Sequence, residues 1–369
     1  MKIPGLQALT RDRFFHLLLL IGAGLSLFVP FAPQAWPAAI DWRTIITLSG
    51  LMMLTKGVEL SGYFDVLGRK MVRRFATERR LSLFMVFSAA VLSTFLTNDV
   101  ALFIIVPLTL TLRKLCEIPV SRLIIFEALA VNAGSLLTPI GNPQNILLWG
   151  RSGLSFAAFT WQMAPLALVM MLSLLAVCWF AFPDKKLQYH SGTTGPQWQP
   201  RLVWSCLGLY IVFLFALELK YEVAGVLLVA AGFVVLARRV LVSVDWTLLL
   251  VFMVMFIDVH LLIQLPVLQN VLHSVSTLSQ PGLWLTAIGL SQFISNVPST
   301  ILLLNYVPPD TLLAWAVNIG GFGLLPGSLA NLISPRMAND RRIWWRFHLW
   351  SIPMLVWAAA IGFGIFLLI

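Results

Sequence analysis

Two apolar stretches of this sequence carry the same kind of interruption, a small polar triplet in the middle of a run long enough to enter a lipid bilayer. The first reads LSTFLTNDVALFIIVPL around Thr97-Asn98-Asp99, and the second reads LSQFISNVPSTILLL around Ser295-Asn296-Val297. Two further interrupted runs follow, VNAGSLLTPIGNPQNIL from Val131 and VNIGGFGLLPGSLANLI from Val317. Paired broken segments in the two halves of a membrane protein predict a substrate site at the interface between two repeats.

The composition excludes a soluble globular protein. Of the 369 residues, 59% are hydrophobic and 11% are charged, and the apolar residues come in stretches of about 20, the length that crosses a bilayer. The net charge of +10 does not indicate nucleic acid, because one threading places all but four of the 25 lysines and arginines on the cytoplasmic side, as the positive-inside rule requires. The exceptions are Arg43, Lys56, Arg151 and Lys220. We predict one integral membrane domain without a nucleic-acid partner.

The threading predicts an all-α membrane protein with about nine membrane-spanning helices, a cytoplasmic N-terminus and a periplasmic C-terminus. Residues 81–112 are too long for one span, yet both flanks are cytoplasmic by charge, which a re-entrant hairpin with its tip at the first triplet explains. Residues 283–307 predict a second hairpin that opens to the other side. Residues 124–149 and 312–333 predict two broken helices, interrupted near Thr138–Asn145 and Leu325–Asn331.

The two halves of the chain carry matching anchors in the same order. Asp41-Trp42 matches Asp245-Trp246, the two triplets match, and Val131-Asn132 matches Val317-Asn318. The first hairpin opens inside and the second opens outside, so the repeat is inverted. We predict a first repeat at 1–182, a loop and linker span at 183–220, and a second repeat at 221–369, five elements on each side of one linker span. Chance similarity between apolar segments is the alternative.

The predicted breaks contain residues that stop a helix. Pro143 removes a backbone donor and frees a carbonyl one turn back, and Gly141 lets a ligand approach the backbone. In lipid, such backbone is tolerated only inside protein or against a cavity. Freed carbonyls are cation ligands, and the helix N-terminus near Gln144 favours an anion. In the second half the same effect is expected of Gly320, Gly321, Gly323, Pro326 and Gly327. A kink that only shapes the packing is the alternative.

Acidic residues inside the apolar stretches have several interpretations. Asp99 pairs with a cation, binds a proton, or caps the returning half-helix, because a lone carboxylate is costly in a low dielectric. Glu127 and Asp258 are either relay groups or residues near an aqueous end of their spans. The sequence alone leaves these alternatives open.

The motifs TND with TPIGNPQN, followed by SNV with GSLAN, resemble the ion transporter superfamily over essentially the whole chain. This superfamily groups arsenite-efflux, NhaD-type antiporter, citrate-metal and divalent-anion:sodium symporter families. Asp99 and Val297 stand where the divalent-anion symporters have threonines, and a carboxylate beside a dicarboxylate substrate would repel it. The resemblance therefore leaves the substrate open.

The resemblance implies residue roles in two cation sites and one substrate site. The first cation site would be Ser93, Thr97, Asn98 and Gly141, and the second Ser291, Ser295, Asn296 and Gly327. Substrate would contact Asn98, Asp99, Asn142, Pro143, Asn296, Val297 and Ser328, with Thr138, Asn145 and Asn331 supporting the broken helices. The resemblance also implies a homodimer in which one domain carries both hairpins as an elevator, and no cofactor beyond bound sodium.

The leading hypothesis is a secondary transporter of a small ion or organic anion in the bacterial inner membrane, coupled to sodium or protons. A cation/proton antiporter that uses Asp99 is the alternative within transport. The chain is predicted not to be an enzyme, because clustered His, Cys or acidic residues at one membrane face are missing from the sequence. A non-transporting receptor or scaffold is the alternative of another class, and it would not need two broken hairpins.

Overall fold

The computed structural model describes residues 13–30, 32–188, 198–219, 221–267, 269, 274–338 and 340–369. In this part of the chain the regular secondary structure is helical, apart from an isolated β-bridge between Thr77 and Lys186. The predicted all-α class is therefore confirmed. Residues 265–279, a weakly polar stretch that the sequence predicts to lie on the outer surface, are only partly among the described residues.

The helices are numbered here in chain order. They are α1 (Arg13–Leu25), α2 (Trp36–Ala39), α3 (Trp42–Leu60), α4 (Tyr63–Arg74), α5 (Glu78–Phe95), α6 (Asn98–Leu115), α7 (Val120–Ser135), α8 (Pro143–Ser152), α9 (Phe156–Ala181), α10 (Pro200–Glu218), α11 (Glu222–Leu236), α12 (Arg238–Ser243), α13 (Trp246–Ile263), α14 (Gln280–Ile294), α15 (Asn296–Leu303), α16 (Thr311–Ile319), α17 (Leu329–Ala338) and α18 (Ile343–Phe366). They form two compact units, and each unit takes helices from both halves of the chain.

Unit 1 contains the described residues of Met1–Tyr63 and Gln197–Val271. Its helix α3 packs against α10, α11 and α13, and α13 also packs against α1. Close packing depends on small residues, which let helix backbones approach in membrane proteins. Gly50 of α3, for example, lies directly against the ring of Phe213 in α10. None of the predicted site residues belongs to this unit.

Unit 2 contains the described residues of Phe64–Pro196 and Leu272–Ile369. Helix α7 lies among α5, α6, α9, α17 and α18, while α14 packs against α15 and α16. The two chain segments interleave, because α17 contacts α6 and α7, and α15 contacts α8. All the predicted site residues belong to this unit.

Four of the described helices are long and apolar enough to cross a membrane by length and composition. They are α9, α10 over Pro200–Leu217, α13 and α18. Large apolar side chains are exposed along them, including Trp161 and Phe180 in α9 and Trp345 in α18. Such surfaces are unfavourable in water and suit contact with lipid. The several apolar helices agree with a multi-pass membrane protein, while the threading and the inverted repeat stay predictions.

Candidate functional site

The first predicted tip lies between α5 and α6. The Thr97 hydroxyl oxygen accepts the N–H of Val100 at 3.5 Å, which makes Thr97 the N-cap of α6. The side-chain oxygen of Asn98 accepts the N–H of Asp99 at 3.0 Å. Of the interpretations of Asp99, the capping one is wrong, because Thr97 occupies that role.

Asp99 is buried and has an unused oxygen. Only 5% of the residue is exposed, and its Oδ1 has no hydrogen-bond partner among the described residues. Neither of the ion pairs Arg43–Glu222 and Lys56–Glu59 involves Asp99. A buried polar atom without a partner is costly. Asp99 is therefore available to a ligand or a coupling ion.

The second predicted tip lies between α14 and α15 and has a strained backbone. Ser295 has φ 72° and ψ 156°, and it is the one non-glycine residue with positive φ in the part of the chain that the structure describes. This conformation is almost restricted to glycine and costs about 1–3 kcal/mol for other residues. Asn296 begins α15 and is buried. The two tips thus share an asparagine at the helix start but reach it by different backbone paths.

The first break covers residues 136–142, between α7 and α8. Asn142 is the N-cap of α8, since its Oδ1 accepts the N–H of Asn145 at 2.8 Å, and Pro143 fills the first helical position, where no N–H is needed. The Asn145 side chain donates to the carbonyls of Leu136 at 3.1 Å and Thr138 at 2.9 Å. The interruption begins earlier than predicted, and Asn145 lies inside the helix because it satisfies the carbonyls that the break exposes.

The second break covers residues 320–328, between α16 and α17, and contains a 3₁₀ turn at Leu325–Gly327. The side chain of Asn331 donates to the carbonyls of Gly321 at 2.8 Å and Leu324 at 3.2 Å. This interruption also begins earlier than predicted, at the glycines, and Asn331 lies in α17. Asn331 therefore serves the second break as Asn145 serves the first.

Asparagine side chains join the two breaks to each other. Asn132, before the first break, donates to Oδ1 of Asn331, after the second, at 2.8 Å. Asn318, before the second break, donates to Oδ1 of Asn145, after the first, at 2.7 Å. All four residues are buried. We call these four residues the asparagine clamp.

The residues that precede α8 and α17 add a further bond to each arm of the clamp. The Asn142 side-chain amide donates to Oδ1 of Asn318 at 2.9 Å, and the Ser328 hydroxyl donates to Oδ1 of Asn132 at 3.1 Å. Asn142 and Ser328 are both predicted substrate contacts. Their polar atoms are thus held by the clamp at the point where the two breaks meet.

Each hairpin contacts its own half at or next to the break through a polar side chain that the sequence analysis missed. The Thr94 hydroxyl in α5 donates to the carbonyl of Gly134, in the last turn of α7 before the first break, at 3.1 Å. The Gln292 amide in α14 donates to the carbonyl of Gly320, in the second break, at 2.8 Å. Gln292 also accepts the N–H of Leu324 at 2.8 Å. Thr94 and Gln292 occupy matching positions in the two halves, one residue after Ser93 and Ser291. This match was the sequence signal that could have identified them.

The predicted first cation set is only partly brought together. The N–H of Asn98 donates to the carbonyl of Gly141 at 3.0 Å, which joins the tip to the break. The Ser93 hydroxyl donates within its own helix to the carbonyl of Ala90 at 2.9 Å, and Thr97 is used for capping. The bond between Asn98 and Gly141 therefore joins two of the proposed ligands, whereas the Ser93 hydroxyl bonds to the backbone of its own helix.

The predicted second cation set is arranged differently. The Ser291 hydroxyl donates to the carbonyl of Ala287 at 2.8 Å. A Cβ at Gly321 would lie 3.1 Å from Nδ2 of Asn296, so this tip lies beside Gly321, whose carbonyl accepts hydrogen bonds from Asn132 and Asn331 of the clamp. No described hydrogen bond joins Ser295 or Asn296 to Gly327. The structure brings the second tip to Gly321 rather than to Gly327.

Comparison with known proteins identifies the family. The sequence profile described as citrate transporter, CitMHS, matches residues 11–309. The chain belongs to this family. The predicted resemblance to the ion transporter superfamily is confirmed, and the family is one of membrane transporters, not enzymes.

Relatives of the chain agree with this assignment. A protein of Escherichia coli named inner membrane protein YbiR is 78% identical over 363 residues, which cover 98% of each chain. An uncharacterized transporter of Methanocaldococcus jannaschii is 31% identical over 337 residues, 89% of this chain and 90% of the relative. An uncharacterized transporter of Mycobacterium tuberculosis is 27% identical over 352 residues, 84% of this chain and 82% of the relative. The chain is thus similar to transporters over almost its full length.

Proposed function

We propose that the chain is a secondary active transporter of a small ion or organic anion, coupled to sodium or protons, with its site between the two hairpin tips. The observation that carries this proposal is the asparagine clamp, which joins two helix breaks inside one unit. Irregular backbone at membrane depth is tolerated only where it is buried or lines a cavity. The clamp fixes the two breaks against each other. This supports a substrate site that keeps its geometry while it moves during transport.

The substrate contacts in this proposal are the seven predicted residues, Asn98, Asp99, Asn142, Pro143, Asn296, Val297 and Ser328. Three observations support four of them. Asn98 donates to the carbonyl of Gly141, Asn142 and Ser328 both bond to the clamp, and Asn296 lies beside Gly321. The tips and the breaks therefore supply polar atoms to one region of unit 2.

Two cation sites belong to the same proposal. The first uses Ser93, Thr97, Asn98 and Gly141, and the second uses Ser291, Ser295, Asn296 and Gly327. The left-handed backbone of Ser295 supports a ligand role, because backbone strain concentrates at functional sites. In both sets hydroxyl, amide and carbonyl oxygens are present, and these are ligands that hard cations prefer.

Citrate is the first substrate to test, because the family carries that description. Asp99 would repel a free tricarboxylate, so a cation must accompany citrate or the carboxyl must carry a proton. Unit 2 holds both tips and both breaks, which supports its movement as one body with the substrate. The homodimer and the elevator motion are parts of the proposal.

A cation/proton antiporter is the second candidate function. The observation that favours it is Asp99, a buried carboxyl with an unpartnered oxygen. In that case Asp99 would bind either the cation or protons, in alternation. Asp99→Asn would then abolish exchange at every pH, whereas in a symporter it would change the pH dependence of uptake.

The first experiment reconstitutes the full chain in proteoliposomes and measures uptake of radiolabelled citrate, with and without Mg²⁺, under separate sodium and proton gradients. Asn98→Ala and Asn296→Ala are expected to abolish uptake. Asn305→Ala is the matched control, because Asn305 is exposed and bonds only within its own helical turn. Wild-type uptake in both tip variants would overturn the site assignment.

The second experiment tests the proposed orientation in the membrane. Cysteines introduced as Arg74→Cys and Arg342→Cys, both at exposed positions, are expected to react with an impermeant maleimide only from the cytoplasmic side. The three native cysteines, Cys116, Cys178 and Cys206, are buried and give little background. Labelling of either new cysteine from the periplasm would overturn the threading.

A further inference from the structure

Glu127 is a fully buried acidic residue in unit 2 that the proposed site does not use. It lies in α7, fewer than two turns before Asn132 of the clamp, and none of its surface is exposed. The sequence alone left open that it lies near an aqueous end, and the complete burial is evidence against that alternative in this conformation. A fully buried carboxyl needs a partner or a proton.

A single hydroxyl contacts this carboxyl. Thr109 of α6, which is also fully buried, donates its hydroxyl to Oε1 of Glu127 at 2.5 Å. The second oxygen, Oε2, has no hydrogen-bond partner among the described residues. One neutral donor does not compensate a buried negative charge.

The charged and titratable groups on the surrounding helices do not neutralise Glu127. On α7 itself and on the helices packed against it, these groups are Glu78, Arg79, Arg80, Asp99, Arg113, Lys114, Arg122, Cys178, Arg336, Arg346 and His348. Arg79 and Arg122 donate to the carbonyls of Phe182 and Ala181. The ion pairs Arg43–Glu222 and Lys56–Glu59 lie in unit 1.

The second half of the chain gives an independent comparison. The position that corresponds to Glu127, at the same spacing from Asn318 as Glu127 from Asn132, is Leu313 in α16. Leu313 is also fully buried. An apolar side chain is therefore sufficient for packing at this position. Because packing does not require a carboxyl, we expect the carboxyl of Glu127 to have another role.

We propose that the Glu127 carboxyl, with the Thr109 hydroxyl as its hydrogen-bond donor, is a proton-binding site that loads and unloads during transport. This proposal rests on the proposed transport function and assigns a residue to proton coupling. Glu127 as a carboxylate takes one proton from water on one side and becomes a carboxylic acid. It then releases that proton to the other side and returns to the carboxylate. Because α7 leads directly into the clamp, the proton is carried by the unit that carries the substrate site.

The test of proton binding needs no substrate. Infrared difference spectra of the full chain in phosphatidylethanolamine–phosphatidylglycerol liposomes are recorded as the pH is lowered. A carboxylic acid carbonyl band is expected to grow, to shift with ¹³C-glutamate labelling and to vanish in Glu127→Gln. The band should remain in Glu117→Gln, an exposed control, and change frequency in Thr109→Val. A band that is unchanged in Glu127→Gln, or one that ignores pH, would overturn the proposal.

The role in coupling is tested with radiolabelled citrate in the same liposomes. Glu127→Gln is expected to lose accumulation driven by a pH gradient while keeping citrate–citrate exchange, which needs no net proton movement. Wild-type accumulation in this variant would overturn the proposal. If the wild-type chain does not move citrate at all, the proposed substrate fails and the infrared result still decides proton binding. Should Glu127→Gln not fold, Glu127→Asp must retain a pH-dependent band that ¹³C-glutamate no longer shifts.

Discussion

The two hairpin tips of unit 2 carry the same asparagine, but their neighbours differ. Asp99 follows Asn98 in the first tip, whereas Val297 follows Asn296 in the second. The two arms of the asparagine clamp are nearly the same, with bonds of 2.8 Å between Asn132 and Asn331 and 2.7 Å between Asn318 and Asn145. The bonds common to both halves build the framework. The buried carboxyls of unit 2, Asp99 and Glu127, lie in the first half, and there we expect substrate choice and coupling to be decided.

The largest expected effect comes from breaking the shared framework. Asn318→Leu leaves Oδ1 of Asn145 without its donor and removes the 2.9 Å bond of the Asn142 amide, which keeps its longer bonds to Ser135. We expect a loss of about 2–4 kcal/mol in the free energy of unfolding, because a buried group left unsatisfied costs about 1–3 kcal/mol and a lost hydrogen bond about 1 kcal/mol more. Thermal unfolding in detergent measures this loss.

The equivalent change in the other half sharpens the comparison. Asn132→Leu should destabilise the protein to a similar degree, because it removes the other arm of the clamp. Asn305→Ala, at an exposed position, should change stability by less than about 0.5 kcal/mol. A neutral Asn132→Leu beside a damaging Asn318→Leu would mean that only one arm matters.

The next effect concerns the glycines on which the hairpins pack. A Cβ at Gly134 would collide with the backbone carbonyl of Ala90, and a Cβ at Gly320 would collide with Ser291. Gly134→Ala and Gly320→Ala should each destabilise by about 1–3 kcal/mol, the usual result of overpacking. Gly150→Ala and Gly289→Ala are controls in open space and should be neutral or slightly stabilising. If Gly320→Ala matched Gly289→Ala, close packing of α14 on α16 would not be required.

A smaller pair of effects should have opposite signs at the two tips. Ser295→Gly relieves a positive φ and should stabilise the protein by about 1 kcal/mol while reducing transport, since Ser295 is a proposed cation ligand. Thr97→Gly relieves nothing, because Thr97 has φ −70°, and it loses a cap, so stability should fall by a few tenths of a kcal/mol. Denaturation curves of both variants decide the point. The same sign in both would mean that the tips are equally strained.

The smallest expected effect lies at the other end of α7. The Ser121 hydroxyl, together with the N–H of Arg342 and the charge of Arg346, lowers the pKa of Asp340. The stabilisation is therefore present above the ordinary aspartate pKa and is lost as the pH falls through the lower folded value. Ser121→Ala should reduce stability by less than about 0.5 kcal/mol at pH 7, since the pair is near the surface. Melting curves at pH 7 and at acidic pH should show the difference between wild type and variant shrinking in acid.

The sequence located the breaks because their causes are local. Proline and glycine act on the backbone where they stand, so Pro143 and Gly141 marked the first break to within a few residues. The glycines of the second break gave the same signal. The end of each break was predicted too late, because Asn145 and Asn331 lie inside the following helices, from which their side chains satisfy carbonyls of the break.

The sequence did not predict the partners of the site residues. Asn132 and Asn318 were recognised only as matching anchors, because nothing local indicates that each bonds to the opposite half. The strained backbone of Ser295 and the burial of Glu127 are likewise tertiary properties, set by the helices that pack around these residues. The division into two units, each built from both halves, was also outside what hydropathy and charge contain.

The clamp has a consequence for how the protein is made. Its two arms join residues that are 199 and 173 positions apart in sequence. While the chain is being synthesised, the first half enters the membrane with the amide nitrogen of Asn132 and Oδ1 of Asn145 lacking their final partners. These bonds form only after α16 and α17 have been added. Chains truncated before Asn331 would lack an arm of the clamp, so quality-control proteases should remove them faster than chains truncated within α18.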